Sequence, residues 1–128
     1  MIKSIVIPLE PFAKGRPRFG KGFTYTPAKT RALEKSLTTY IKNLWKGEAW
    51  LGALAVTIRF TVKRPKSVKA TKRPWPSVKP DLDNCLKSLF DCSNGIIWDD
   101  DAQVVSLSAE KSYGKTGEIW MAVARYEG

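Results

Sequence analysis

The stretch KPDLDNCLKSLFDCSNGIIWDDDAQVV, Lys79 to Val105, holds six of the chain's twelve acidic residues within 27 positions, inside a protein of net charge +10. Carboxylates held close together repel, and a folded chain tolerates that only when something offsets it. A bound cation is one answer; a solvated acidic loop is the other. The same stretch sets its own local structure. Leu82, Cys85, Leu86, Leu89 and Phe90 recur at helical spacing, and Asn94-Gly95 stops the pattern. GIIW is a short apolar run and DDD reads as a turn.

Outward from this helix, the flanks read as strands. QVVSLSAEKSY and EIWMAVARY alternate, and the GKTG between them predicts an antiparallel hairpin. On the other side, Leu54, Val56, Ile58, Phe60 and Val62 alternate along LGALAVTIRFTVKRP, the pattern of a strand with one buried face. Lys63 to Pro80 then carries seven basic residues, four prolines, one tryptophan and no acid. That composition suits neither helix nor strand and predicts a long mobile loop within the domain. Thr26-Pro27 reads as a helix start, followed by Leu33, Leu37, Tyr40, Ile41, Leu44 and Trp45 at helical steps to about Lys46 and a stop at Gly47. FAKGRPRFGKGFTYTP reads as an exposed loop or loose hairpin, and IKSIVIPLEP as a strand. The expected fold is a single α+β domain over residues 1–128. A mixed, largely antiparallel sheet carries two helices, in the order β-α-β-loop-α-β-β.

Composition narrows the chemistry. The chain of 128 residues, 43% hydrophobic, is long enough for one ordinary core. No apolar run approaches the length of a membrane span, and MIKSIVIPLEP is too short and strand-like for a signal peptide. Cys85 and Cys92 share a helix face about 10 Å apart, too far for a disulfide, and read as core residues in a reducing, cytoplasmic setting. There is no histidine, which excludes Ser-His-Asp and Cys-His catalysis and histidine-ligated zinc. Residues 1–80 hold 18 Lys/Arg against 3 Glu, while residues 81–128 hold 4 against 9 acids. The first part suits a polyanion, the second a divalent cation.

The carboxylates form a pattern. With Asp83 as the N-cap of the helix, the preceding backbone is extended, so Asp81 and Asp83 point to one side at a helix N-terminus. Asp83, Lys87 and Asp91 step by four and make one polar stripe. The Asn94-Gly95 turn can return Asp99, Asp100 and Asp101 to the same place. Carboxylates from two segments suit Mg2+ or Mn2+, which can activate water and polarise a phosphodiester, and a nearby lysine can stabilise developing charge. Plainer roles exist for each residue: Asp83 as a simple cap, Asp83 with Lys87 as an ordinary surface pair, DDD as a solvated turn. An EF-hand fails, since the sixth position from Asp81 is Leu86 and the twelfth is Cys92.

These residues resemble the RusA-type Holliday-junction resolvases, which are short, basic, dimeric endonucleases. The family pattern of Asp-x-Asp-Asn opening a helix, a lysine four residues on, a Gly and then Asp-Asp-x-Gln-Val is matched by Asp81, Asp83, Asn84, Lys87, Gly95, Asp100, Asp101, Gln103 and Val104. KGRPRF…TYTPAKT, Lys14 to Thr30, is also similar to many phage-type members. The resemblance implies a Mg2+-dependent nuclease, with Mn2+ as a substitute, whose catalytic set is Asp81, Asp83, Lys87 and Asp101. Asp100 stands beside Asp101 as a further candidate metal ligand. Lys14, Arg16 and Arg18 of the front, with Lys66, Lys69, Lys72 and Arg73 of the basic loop, are the candidate DNA-binding residues. The expected function is resolution of four-way junctions by paired nicks from a homodimer. A nuclease of flaps or other branched DNA, and a non-catalytic nucleic-acid-binding module with a structural acidic cluster, are the alternatives.

Overall fold

The computed structural model describes residues 1–13 and 28–128, together with the backbone of 18–19 and 24–25. The elements are β1 (Ile2–Ile7), β2 (Arg18–Phe19), β3 (Thr24–Tyr25), α1 (Ala28–Leu44), β4 (Leu54–Lys63), α2 (Leu82–Ser93), a 3-10 turn (Asp101–Gln103), β5 (Val104–Gly114) and β6 (Glu118–Arg125). β2 and β3 form a small antiparallel ribbon, in keeping with the hairpin reading of the front. The Thr26-Pro27 helix start lies outside the described residues.

The main sheet runs β1-β6-β4-β5. β1 pairs antiparallel with β6, and β6 antiparallel with β4. β4 pairs in parallel with β5. The sheet is therefore mixed and largely antiparallel, as expected. The expected β5–β6 hairpin is not formed, because β4 lies between the two strands. The link of residues 115–117 passes over the end of β4, where the Arg64 amide donates to the Gly114 carbonyl at 3.1 Å. Its glycines serve that close crossing. A Cβ at Gly114 would come within 2.5 Å of Thr61 Cγ2, and one at Gly117 would collide with Glu10. The signal that suggested a tight hairpin thus marks a tight crossing instead.

One sheet face is apolar. Ile5 and Ile7 of β1, Ile119, Met121 and Val123 of β6, and Leu54, Val56, Ile58 and Phe60 of β4 are all buried and in register across the strands. Leu37 and Ile41 of α1, Trp45 just beyond it, and Cys85, Leu89 and Cys92 of α2 complete the core. Each fully buried aliphatic side chain contributes about 1.5–3 kcal/mol. Both cysteines are buried and not joined in a disulfide, as their spacing implied. The segment from α2 to β5 is anchored by Ile97 and Trp98, both fully buried, with the Trp98 ring edge-on to Phe90 at 5.4 Å.

The basic segment between β4 and α2 is irregular, the loop within the domain that its composition implied, and it is bonded along its path. Arg64 donates to the carbonyls of Arg73 (2.7 Å) and Pro74 (3.1 Å) while its guanidinium lies 4.1 Å from the Tyr113 ring centroid. Arg73 Nε donates to the Tyr113 hydroxyl at 2.9 Å. Amides of Val68, Lys72 and Arg73 close turns on the carbonyls of Pro65 and Lys69. Proline and charge exclude regular structure, but two arginines and one tyrosine hold the path.

Candidate active site

α2 begins one position after Asp81, not after Asp83. The Asp81 backbone is extended (φ −69°, ψ 141°), and its carbonyl accepts the first helical bond, from the Cys85 amide at 3.0 Å. A long-range contact lies immediately before this start. Lys111 of β5 is in register with Phe60, on the helix-bearing face of the sheet. Its ammonium donates to the carbonyls of Val78 and Pro80, each at 2.9 Å. These bonds fasten the bent stretch 78–80 to β5, and the helix starts directly after it, at the extended Asp81.

Asp81 is the N-cap residue, yet its side chain makes no capping bond. Its carboxylate is exposed and meets the Asn84 side-chain amide at 3.4 Å. Asp83 sits in the first helical turn, also exposed. Negative charge is favoured there by the positive end of the helix dipole. The two carboxylates share a neighbourhood. Burial pushes the Cys85 thiol from 9.0 up to about 11; the Lys111 ammonium acts against this, while Asp81 and Asp83 add to it. Asp81, Asp83 and Lys111 thus act on one buried sulfur, and that sulfur remains a neutral thiol near pH 7 and a poor nucleophile.

Lys87 is exposed one turn further along α2. Asp83, Lys87 and Asp91 are all exposed, the stripe that the spacing implied. The Asp83–Lys87 surface pair, the plainer of the two readings of this lysine, is not formed; an ion pair between described residues is Arg59–Glu110.

The acidic turn divides its labour. Asp100 is the N-cap of the 3-10 turn, its Oδ1 accepting from the Ala102 amide at 3.3 Å. Gln103 replies, its Oε1 accepting from the amides of Asp99 (2.9 Å) and Asp100 (3.1 Å). Gln103 Nε2 donates to the carbonyls of Trp50 (2.9 Å) and Gly52 (3.0 Å). Asp101 takes no part in this cap. Its half-buried carboxylate accepts from Asn94 Nδ2 at 3.3 Å, and Asn94 Oδ1 accepts from Trp98 Nε1 at 2.7 Å. The residue that ends α2 therefore ties Asp101 to the buried tryptophan. Asn94, Gln103 and Lys111 are supports that sequence reading did not identify as such. The Asp100-x-x-Gln103 spacing of a capping box was the available signal for Gln103; the other two rest on tertiary contacts.

Among the described residues, no group of three or more acidic or cysteine side chains lies close enough to hold one ion. Asp81 and Asp83 are brought together at the start of α2, and Asp101 is held on a separate segment by its own supports.

Of the candidate DNA-binding residues, Lys66, Lys69 and Lys72 are exposed. Arg73 is half-buried and bonded to Tyr113, so it also braces the segment. Arg64, Lys66, Lys69, Tyr113 and Lys115 line a cleft of about 450 Å3, which adds Lys115 to the basic surface. Trp75 is 67% exposed on the same segment. Lys14 and Arg16 lie outside the described residues, and Arg18 is described by its backbone alone.

Among the described residues no helix is long and apolar enough to cross a membrane. Over 123 residues the chain is 30% identical to the uncharacterized protein YqaN of Bacillus subtilis (strain 168), covering 86% of this chain and 87% of that one. Residues 8–124 match the family described as Endodeoxyribonuclease RusA, a span that includes both acidic segments, the basic segment and all of α1 and α2. The chain belongs to the RusA family, metal-dependent endodeoxyribonucleases that act on branched, Holliday-junction DNA.

Proposed function

We propose that this protein resolves four-way DNA junctions by paired nicks as a two-fold dimer, using Mg2+ held by Asp81, Asp83 and Asp101, with Mn2+ as a substitute. One observation carries the reading. Asp81 occupies a cap position without capping, and Asp101 stands beside an aspartate that does the capping for it. Neither carboxylate is taken up by a helix cap, and each meets one side-chain amide, which leaves acceptor capacity for an ion. For that reason Asp101, not Asp100, is assigned as the ligand from the second segment.

The donor set fits the ion. Mg2+ is bound through one or two carboxylates, keeps several waters and completes its shell with substrate phosphate oxygens, so a closed protein cage is not required. When bound, the ion supplies polarisation of the scissile phosphodiester and a lowered pKa for water. Asp81 and Asp83, fixed by the start of α2, orient that chemistry. Lys87, without a carboxylate partner at Asp83, donates to the oxygen on which charge develops. Lys66, Lys69 and Lys72 hold backbone phosphates of the arms, and Lys14, Arg16 and Arg18 of the front are further candidates for the same role by charge. A four-way junction has near two-fold symmetry, and a two-fold dimer presents two equal sites to opposed strands. The two buried thiols, not joined in a disulfide, fit a reducing cytoplasm.

The test is incubation of the protein with labelled four-way, three-way and flap DNA, with and without Mg2+. Symmetric paired nicks in the four-way junction, dependent on the ion, are expected. Faster cutting of flaps would reassign the substrate. Binding without cutting in either ion would make the chain a binding module.

A further inference from the structure

We infer that Gln103 is a positioning residue of the nuclease centre, setting the place of Asp101 by joining the acidic turn to the α1–β4 connection. The inference rests on the reading of Asp101 as a metal ligand. All hydrogen-bonding capacity of the Gln103 amide that the geometry can engage is directed to two backbones. Its oxygen receives the Asp99 and Asp100 amides, and its nitrogen reaches the Trp50 and Gly52 carbonyls. Asp100, directly before Asp101, and Gln103, two residues after it, are thus pinned by the cap and by the bridge, while the Asp101 side chain stays outside both.

The far end of the bridge is well founded. The Trp50 amide donates to the Ile97 carbonyl at 2.8 Å. The Trp50 ring is edge-on to Trp45 at 5.4 Å, and the Arg125 guanidinium lies 4.7 Å from its centroid. Arg125 Nη1 donates to the Leu51 carbonyl at 3.1 Å, and the Tyr126 amide to that of Ala53 at 2.9 Å. The anchor is therefore tied to α1, to the segment after α2 and to the end of β6. A glutamine is the residue that can do this. It offers an acceptor to two N–H groups and a donor to two C=O groups from one planar end. A glutamate of the same shape keeps the first pair and sets a carboxylate oxygen against the two carbonyls. Groups that orient metal ligands from behind typically change metal affinity or activity by about 10–100-fold when replaced.

The test uses Gln103→Glu and Gln103→Ala in the full chain. Mn2+ binding to the DNA-free protein is measured by calorimetry, beside a denaturant melt, junction binding in EDTA and single-turnover cleavage across a Mn2+ titration. Both variants are expected to bind Mn2+ about tenfold or more weakly and to need correspondingly more Mn2+ for cleavage, with junction affinity unchanged. If Gln103→Ala fails to fold, the isosteric Gln103→Glu decides. Wild-type Mn2+ binding and Mn2+ requirement in a folded Gln103→Glu would overturn the inference. Asp101→Asn is the control: if it leaves Mn2+ binding intact, the ligand reading of Asp101 fails and this inference fails with it.

Discussion

The ammonium of Lys111 donates to the Pro80 carbonyl at 2.9 Å, so a residue of the sheet's edge strand holds the position immediately before Asp81. Lys111→Met removes this bond and its companion to Val78. Net contributions of bonds to a charged group are about 1.5–3 kcal/mol, and half-exposure places the pair at about 1–3 kcal/mol in all. Small displacements of a reacting group lower rates steeply, so single-turnover cleavage should fall at least about tenfold. A melt beside cleavage of pre-bound junction checks both. A folded Lys111→Met that cuts at the wild-type rate would leave Lys111 as a brace only.

Asp100 and Asp101 should separate in their effects. Asp100→Ala loses a cap and should cost about 0.5–2 kcal/mol of stability while lowering cleavage far less than Asp101→Asn does. Asp101→Asn should lose cleavage with stability shifted by less than about 0.5 kcal/mol. Asp83→Asn should behave as Asp101→Asn does and keep junction binding, tightened by loss of a negative charge near phosphate. Mg2+-dependent nicking rates and urea melts of the three variants give the comparison. The reverse pattern would exchange the roles of the two neighbours.

Lys87→Ala should slow single-turnover cleavage about 10²–10³-fold, as removal of one donor to a developing anion does elsewhere. Stability should move by less than about 0.5 kcal/mol, since the side chain is exposed and unpaired with Asp83. Lys87→Arg keeps the charge with altered reach and should recover part of the rate. A loss below tenfold in a folded Lys87→Ala would leave this lysine a surface residue.

The basic segment should yield two classes of variant. Replacing Lys66, Lys69 and Lys72 by alanine should flatten the dependence of log K on log salt, by about 0.9 for each duplex-arm phosphate that is no longer neutralised. Arg73→Ala should instead lower stability, because it removes the bond to Tyr113. Junction titrations at several salt concentrations, with a melt of each variant, distinguish them. An unchanged slope in the triple variant would move DNA binding to the front, around Arg16 and Arg18.

The elements were legible where one side chain pattern decides one structure. The alternation from Leu54 to Val62 marks β4, and the spacing of Leu82, Cys85, Leu86, Leu89 and Phe90 marks α2. Strand order was not, because a period of two says that a strand is half-buried but not which strand lies beside it. GKTG therefore read as a hairpin when β4 separates its strands. At the site, the aspartates and Lys87 stood out by type and spacing. Their supports did not: Lys111 reaches Pro80 across 31 positions, and Asn94 reaches Asp101 through a side chain that sequence reads only as a turn former. α2 starts after Asp81 and not after Asp83, and the stretch before that start is fastened by the same distant lysine.

The placement of β6 between β1 and β4 also orders the assembly of the protein in time. Ile2 pairs with Ala124 and Ile7 with Ile119, so the first strand of the sheet has its hydrogen-bonded neighbour more than a hundred residues away. β4, α2 and β5 can gather through interactions within one crossover, but β1 cannot join them until β6 has threaded into the gap. Pairings of such long separation slow folding, because loop closure precedes any gain from them. The segment that bears Asp81, Lys87 and Asp101 rests on contacts of shorter separation, while the β1–β6 pairing that closes the sheet joins two distant parts of the chain in adjacent strands.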